Sequence, residues 1–114
     1  MNDGRLPAGI EAAGLMRKVE AQGDFAALLK KGDPDRGALI LVVGSRGHHL
    51  ACLERMLSQD GEYRWQVVGP GESAGSAEIA DFLAKRQRTD PDSWLIELDI
   101  ALAERFIAET IAEG

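Results

Sequence analysis

The stretch Asp90-Pro91-Asp92-Ser93-Trp94-Leu95-Ile96-Glu97-Leu98-Asp99 limits the fold more than any other part of this chain, because it sets two carboxylates into what reads as a buried strand. With Trp94, Ile96 and Leu98 facing a core, strand alternation puts Leu95, Glu97 and Asp99 on the opposite face. Ionised carboxylates removed from water need cationic or hydrogen-bonding partners. This strand is therefore the first place to look for a site.

The chain has 114 residues, which matches one domain spanning 1–114, and a domain of this size buries roughly two-thirds of its unfolded surface. Hydrophobic residues make up 45% and charged residues 28%, which argues against a long disordered span. Thirteen Lys and Arg against nineteen Asp and Glu give a net charge of -6. An acidic balance repels phosphate, so nucleic acid and anionic membrane are not expected as main partners. Cys52 is the single cysteine, which excludes an internal disulfide, and its setting in Leu50-Ala51-Cys52-Leu53 reads as a small buried hydrophobe. The longest apolar run, Ala38 to Val43, is far too short to span a membrane. Met1-Asn2-Asp3-Gly4 does not open a secretion signal. A reducing cytoplasm is the expected location.

After a loose Met1 to Arg5, apolar residues at Ala8, Ala12, Leu15, Met16 and Val19 recur at helical spacing until Gln22-Gly23. Phe25 to Lys31 reads as a strand, Gly32 to Gly37 as a turn, and Ala38 to Val43 as a strand apolar on both faces, suited to the middle of a sheet. A turn at Gly44 to Gly47 leads to a strand from about His49 to Leu57. Asp60-Gly61 has the dipeptide of a two-residue type I′ hairpin, which would set Met56 against Trp65, Arg55 against Gln66 and Leu57 against Arg64. The next strand is Tyr63 to Val68. Gly69 to Gly75 reads as a loop and Ser76 as the cap of a helix with Ile79, Phe82 and Leu83 on its stripe, ending near Arg88. Ser93 to Asp99 is the fifth strand, and a last helix carries Leu102, Phe106, Ile107, Thr110 and Ile111. The expected class is α+β in the order α-β-β-β-β-α-β-α. The first four strands should form an antiparallel meander, with a crossover helix that makes the five-stranded sheet mixed, and with helices on both faces or, alternatively, on one.

The leading constellation is Arg55, Arg64, Glu97 and Asp99, a polar cluster able to hold a charged ligand. Its structural counterpart is a set of cross-strand ion pairs at a solvated edge. The glycine-rich loop before Ser76 lies where amides can cradle phosphate, but Gly75 stands where a Walker motif needs lysine, and Glu72 repels anions. Two short basic runs, Lys85-Arg86 with Arg88 and Lys30-Lys31 with Arg36, have structural roles at a helix end and a strand end. His48 and His49 are neighbours, and strand alternation points neighbours apart, so they are not a metal pair. No metal, cofactor or catalytic set is expected. Pro91-Asp92 with Glu97-Leu98-Asp99 approximates the carboxylate motif of restriction-type nucleases, but Asp99 occupies the place of the lysine which that motif requires.

Several segments together resemble one family. They are Phe25-Ala26 through Lys31-Gly32-Asp33-Pro34, Glu54-Arg55-Met56-Leu57, Tyr63-Arg64-Trp65, and Asp90 through Asp99. The chain is similar in these segments to a largely alphaproteobacterial family, domain of unknown function fourteen-ninety-one. The resemblance implies a compact α and β domain of bacterial cytoplasmic origin and supplies no catalytic residues. The reading that results is a noncatalytic binding or protein-interaction module, its working surface the Arg55, Arg64, Glu97 and Asp99 region or an exposed sheet edge. The alternative is a small hydrolase or phosphate-handling enzyme holding a divalent ion between Glu97 and Asp99. Expected partners are a protein or a small charged ligand, or a second copy joined at a sheet edge.

Overall fold

The computed structural model describes residues 6–113, so the expected loose segment Met1 to Arg5 lies outside the described residues. The elements run α1 (Ala8–Ala21), β1 (Phe25–Lys30), β2 (Leu39–Ser45), β3 (His48–Leu57), β4 (Tyr63–Val68), α2 (Ser76–Thr89), β5 (Trp94–Asp99) and α3 (Ala103–Glu113). They build one five-stranded sheet in the order β1-β5-β2-β3-β4. The β2–β5 pair is parallel and the other pairs are antiparallel. The α+β class, element order and mixed sheet are as the sequence implies. No helix among the described residues is long and apolar enough to cross a membrane.

The expected meander of the first four strands does not form. Among the described residues β1 pairs only with β5, which occupies the slot between β1 and β2. The cause lies in Gly32–Gly37, which folds back on the start of β5 instead of turning as a hairpin. Asp33 Oδ2 accepts the N–H groups of Asp35 (3.1 Å) and Arg36 (2.8 Å), fixing a local turn. The Asp33 N–H donates to the Asp92 carbonyl at 2.9 Å, and the Asp33 carbonyl accepts the Trp94 indole N–H at 2.7 Å. Gly32 and Gly37 close on the same Asp92 oxygen, where a Cβ on either would lie only 2.1 Å from it. The knot also caps α1. Pro7 offers no side-chain acceptor, and the Ala8 and Gly9 N–H groups donate to the Asp35 (3.2 Å) and Pro34 (2.8 Å) carbonyls.

Once inserted, β5 needs apolar neighbours on two sides. Leu95, Ile96 and Leu98 are buried, and β2 beside it is central, with Leu39, Ile40 and Leu41 inaccessible to solvent. Trp94, Ile96 and Leu98 face α1 and α3, as alternation requires, together with Leu41, Val43, Leu53, Ala12 and Ala103. The opposite face is covered by α2, which buries no residue fully. Its stripe of Ile79, Phe82 and Leu83 is only half-buried. Helices therefore lie on both faces, dense on one and sparse on the other. Gly75, not Ser76, sits at the N-cap of α2, and no side chain caps the helix.

The β3–β4 register is one residue away from the expected one: Met56 faces Arg64, Arg55 faces Trp65 and Leu57 faces Tyr63. A two-residue I′ turn needs left-handed backbone at both central positions, and here Gly61 has a positive φ but Asp60 does not. The loop is instead 58–62, closed by Ser58 N–H to the Glu62 carbonyl (2.8 Å) and Gly61 N–H to the Ser58 carbonyl (3.0 Å). The I′ turn occurs at Arg46-Gly47, with φ values of 54° and 80°. A one-residue slip exchanges the faces of every side chain in the relative pairing.

The knot gives a stability test. Gly37→Ala pushes a methyl into the Asp92 carbonyl and the Trp94 ring and should cost about 1–3 kcal/mol in chemical denaturation. Gly14→Ala, within α1 and with nothing within 4 Å of the added carbon, should gain about 0.5–1 kcal/mol.

Candidate functional site

Of the four residues singled out in the sequence, the fold brings two together. Glu97 and Asp99 share the α2 side of β5, while Arg55 and Arg64 are held elsewhere. Arg55 lies on the α1 side, paired with Glu11 of α1 and stacked over the Tyr63 ring at 5.6 Å from its centroid. Arg64 donates to Asp60 Oδ2 at 2.7 Å in the exposed β3–β4 hairpin. There the Ser58 hydroxyl, Arg64 and the Glu62 N–H all donate to Asp60, holding its carboxyl well below the usual carboxylate range.

Asp99 performs a structural task. Its Oδ1 accepts the Arg46 N–H at 2.8 Å and its Oδ2 the Gly47 N–H at 2.9 Å. The two successive amides of this turn converge on one concavity, which an anion fills well. The carboxylate thus offsets the strain of a non-glycine residue at positive φ in the β2–β3 turn. Gly44, beside it, makes the bulge that lets the turn close, since a Cβ there would meet the His48 carbonyl at 2.6 Å.

Glu97 differs. It is exposed, it faces Ala27 on β1 and Val42 on β2, and its carboxylate has no hydrogen bond or ion pair among the described residues. It lies in a cleft of about 320 Å³ between α2 and the sheet, whose apolar wall includes Leu29, Val42, Ile79 and Leu83. One end is closed by the histidines. His49 Nε2 donates to the Pro70 carbonyl at 3.0 Å and His48 Nε2 lies 3.3 Å from Glu72, so both tether the 69–75 loop. No three His, Cys, Asp or Glu side chains among the described residues are placed to hold a metal ion. A larger opening, about 450 Å³, lies between α1, α3 and Trp65, but it is a margin of the core edged by the Arg105–Glu109 pair.

What holds α2 over the cleft is a charge pair that sequence reasoning missed. Glu54 of β3, 4% exposed, is bonded to Arg86 of α2. Burial pushes the Glu54 carboxyl above its ordinary value of 4.5, Arg86 pulls it back, and Asp90 raises it further. The signal was present: Glu54 alternates with Cys52 and Met56, and Arg86 continues the helical stripe of Ile79, Phe82 and Leu83. A charge on an apolar stripe opposite a charge on an apolar strand face indicates a buried pair. Cys52 lies beside Glu54 in β3, buried, its thiol pushed up to about 11 by desolvation, in keeping with an inert hydrophobe.

Comparison with known proteins bears on this arrangement. The family model described as "Protein of unknown function (DUF1491)" matches residues 6–108. The chain belongs to this family. Two DUF1491 structures from Caulobacter crescentus CB15 share its fold: a crystal structure with TM-score 0.75 at 26% identity over 85% of this chain and 90% of that one, and an NMR structure with TM-score 0.73 at 27% identity over 86% and 88%. The solution structure of protein Atu0922 from A. tumefaciens has TM-score 0.70 at 28% identity over 83% and 86%. Comparison with curated proteins finds no match. Two of the four segments that suggested DUF1491, Lys31-Gly32-Asp33-Pro34 and the start of Asp90 to Asp99, meet in the knot, and the other two pair with each other in β3 and β4.

Two variants separate the roles of the β5 acids. Asp99→Ala, which strands two turn amides, should lower stability by about 1–3 kcal/mol, whereas Glu97→Ala should stay within about 0.5 kcal/mol in the same urea titration. The Glu54 shift also has a definite sign. A carboxyl with a raised folded pKa binds its proton more tightly folded than unfolded, so its contribution falls as pH rises from its unfolded value through the folded one. The melting temperature of wild type should therefore drop relative to Glu54→Gln as pH rises above the ordinary carboxyl value of 4.5.

Proposed function

We propose that this DUF1491 protein is a noncatalytic binding module whose cleft beneath α2 takes a small ligand with an apolar body and one cationic group. The observation that carries this reading is the Glu97 carboxylate, unpartnered among the described residues and set among Leu29, Val42, Ile79 and Leu83. Ligand sites are commonly apolar concavities of this volume with a few polar groups fixing orientation. The surrounding reactive side chains are already committed: both histidines to the 69–75 loop, Asp99 to the turn amides, and Cys52 to the interior. The metal-dependent hydrolase alternative has less support, since each Asp99 oxygen that would face a cation already accepts an N–H. The net charge of -6 favours a cationic ligand over nucleic acid, and a single buried, unpaired cysteine fits a reducing cytoplasm.

The test is an NMR titration of the full chain with hexylamine and benzylamine against hexanol and benzyl alcohol. Amide shifts should concentrate around Ile79, Leu83 and Glu97, the amines binding more tightly than the alcohols. Glu97→Gln should weaken amine binding about tenfold, a loss of about 1.4 kcal/mol, and leave alcohol binding unchanged. Equal response to amines and alcohols, or shifts confined to another surface, would refute it.

A further inference from the structure

The two sheet edges are not alike. β4, at one end, presents Arg64 and Gln66 between its apolar residues and is braced by the Arg64–Asp60 pair. β1, at the other, pairs on its inner side with β5 and with no other strand among the described residues. In six residues it exposes three large hydrophobic side chains: Phe25 at 54%, Leu28 at 44% and Leu29 at 48%. An edge of this kind leaves amides and carbonyls open to another strand, and no charge or proline interrupts it before Lys30.

The strand is complementary to itself when reversed. We infer that β1 is a homodimer interface, where a second copy of this chain adds its own β1 antiparallel to form a continuous ten-stranded sheet about a two-fold axis at Ala27. Ala27 then faces Ala27 of the second copy, Phe25 faces Leu29, and Ala26 faces Leu28. Lys30 Nζ donates to the Pro91 carbonyl at 2.9 Å and Asp24 Oδ1 accepts the Ala101 N–H at 3.1 Å, so the same register brings the Asp24 carboxylate toward Lys31 at the end of the other strand, with opposite charges at both ends. A parallel pairing would set the lysines against each other. The bulge between Leu28 and Lys30 confines the backbone ladder to the middle of the strand, so that Phe25 and Leu29 meet through their side chains. An isologous contact of this type closes at two subunits, since each copy spends its one open apolar edge.

Light scattering after size exclusion of the full chain, over a dilution series, reads the mass directly. The expected result is a dimer that dissociates on dilution, with Phe25→Lys raising the dissociation constant at least about tenfold and Val67→Lys on β4 leaving it unchanged. Both side chains are exposed, so the melting temperature of diluted monomer serves as the folding control. The register has its own test: oxidised Ala27→Cys should give a covalent dimer, while Val67→Cys should not. A mass that stays monomeric at every concentration, a dimer insensitive to Phe25→Lys, or cross-linking through position 67 would overturn the assignment. So would a monomer that captures a foreign extended peptide at β1.

Discussion

The hydrogen bond from the Trp94 indole to the Asp33 carbonyl and the contact of Gly32 and Gly37 with the Asp92 carbonyl hold this fold in its topology. Without them, β1 and β2 are adjacent in sequence with a short connection, and a hairpin is the ordinary outcome. The knot diverts the connection, opens a slot one strand wide, and sets the first residue of β5 at its mouth. It also supplies the acceptors for the first N–H groups of α1, so one cluster of backbone groups positions a helix, an edge strand and a central strand.

The two faces of the sheet then divide the work. On the α1 and α3 side, small residues such as Ala8, Ala12 and Ala103 let the helices come close, and the core is continuous from Leu39 to Leu98. On the other side α2 stands further off, joined by the Glu54–Arg86 pair and a half-buried stripe. A buried ion pair adds little net stability compared with apolar contact, but removing one partner is costly because the other charge remains. Geometry, more than binding energy, is what the pair supplies: it keeps the helix at the spacing that leaves the cleft beside Glu97.

The sequence made much of this legible. Alternation in Trp94–Asp99 assigned each side chain to its face, and the uninterrupted run Ala38–Val43 marked β2 as central. The pairing partners were not legible, because strand order here is decided by contacts between residues about sixty apart along the chain, which local patterns do not encode. Asp60-Gly61 carried the stronger turn signal, yet Arg46-Gly47 adopts the I′ geometry because Asp99, distant in sequence, satisfies its amides. Arg55 and Arg64 were grouped on one face, but the one-residue slip set by the 58–62 loop puts Arg64 opposite Met56, while Arg55, opposite Leu39 of β2, turns toward Glu11. Glu54 went unnoticed for the opposite reason, since a lone acid among apolar strand residues looks exceptional only once Arg86 is opposite it.

The central place of β5 has a consequence for how the chain acquires its shape. Four strands precede β5 in synthesis, yet β1 has no partner until residues 94–99 are available. Until then the nascent chain carries a three-stranded sheet with one uncovered flank and a detached apolar ribbon, a state exposed to mispairing. Completion requires closing long loops, which slows two-state folding relative to a meander of the same length. Maturation of the molecule therefore waits on its latest strand, and a chaperone or a second nascent chain meets that ribbon before its own partner does.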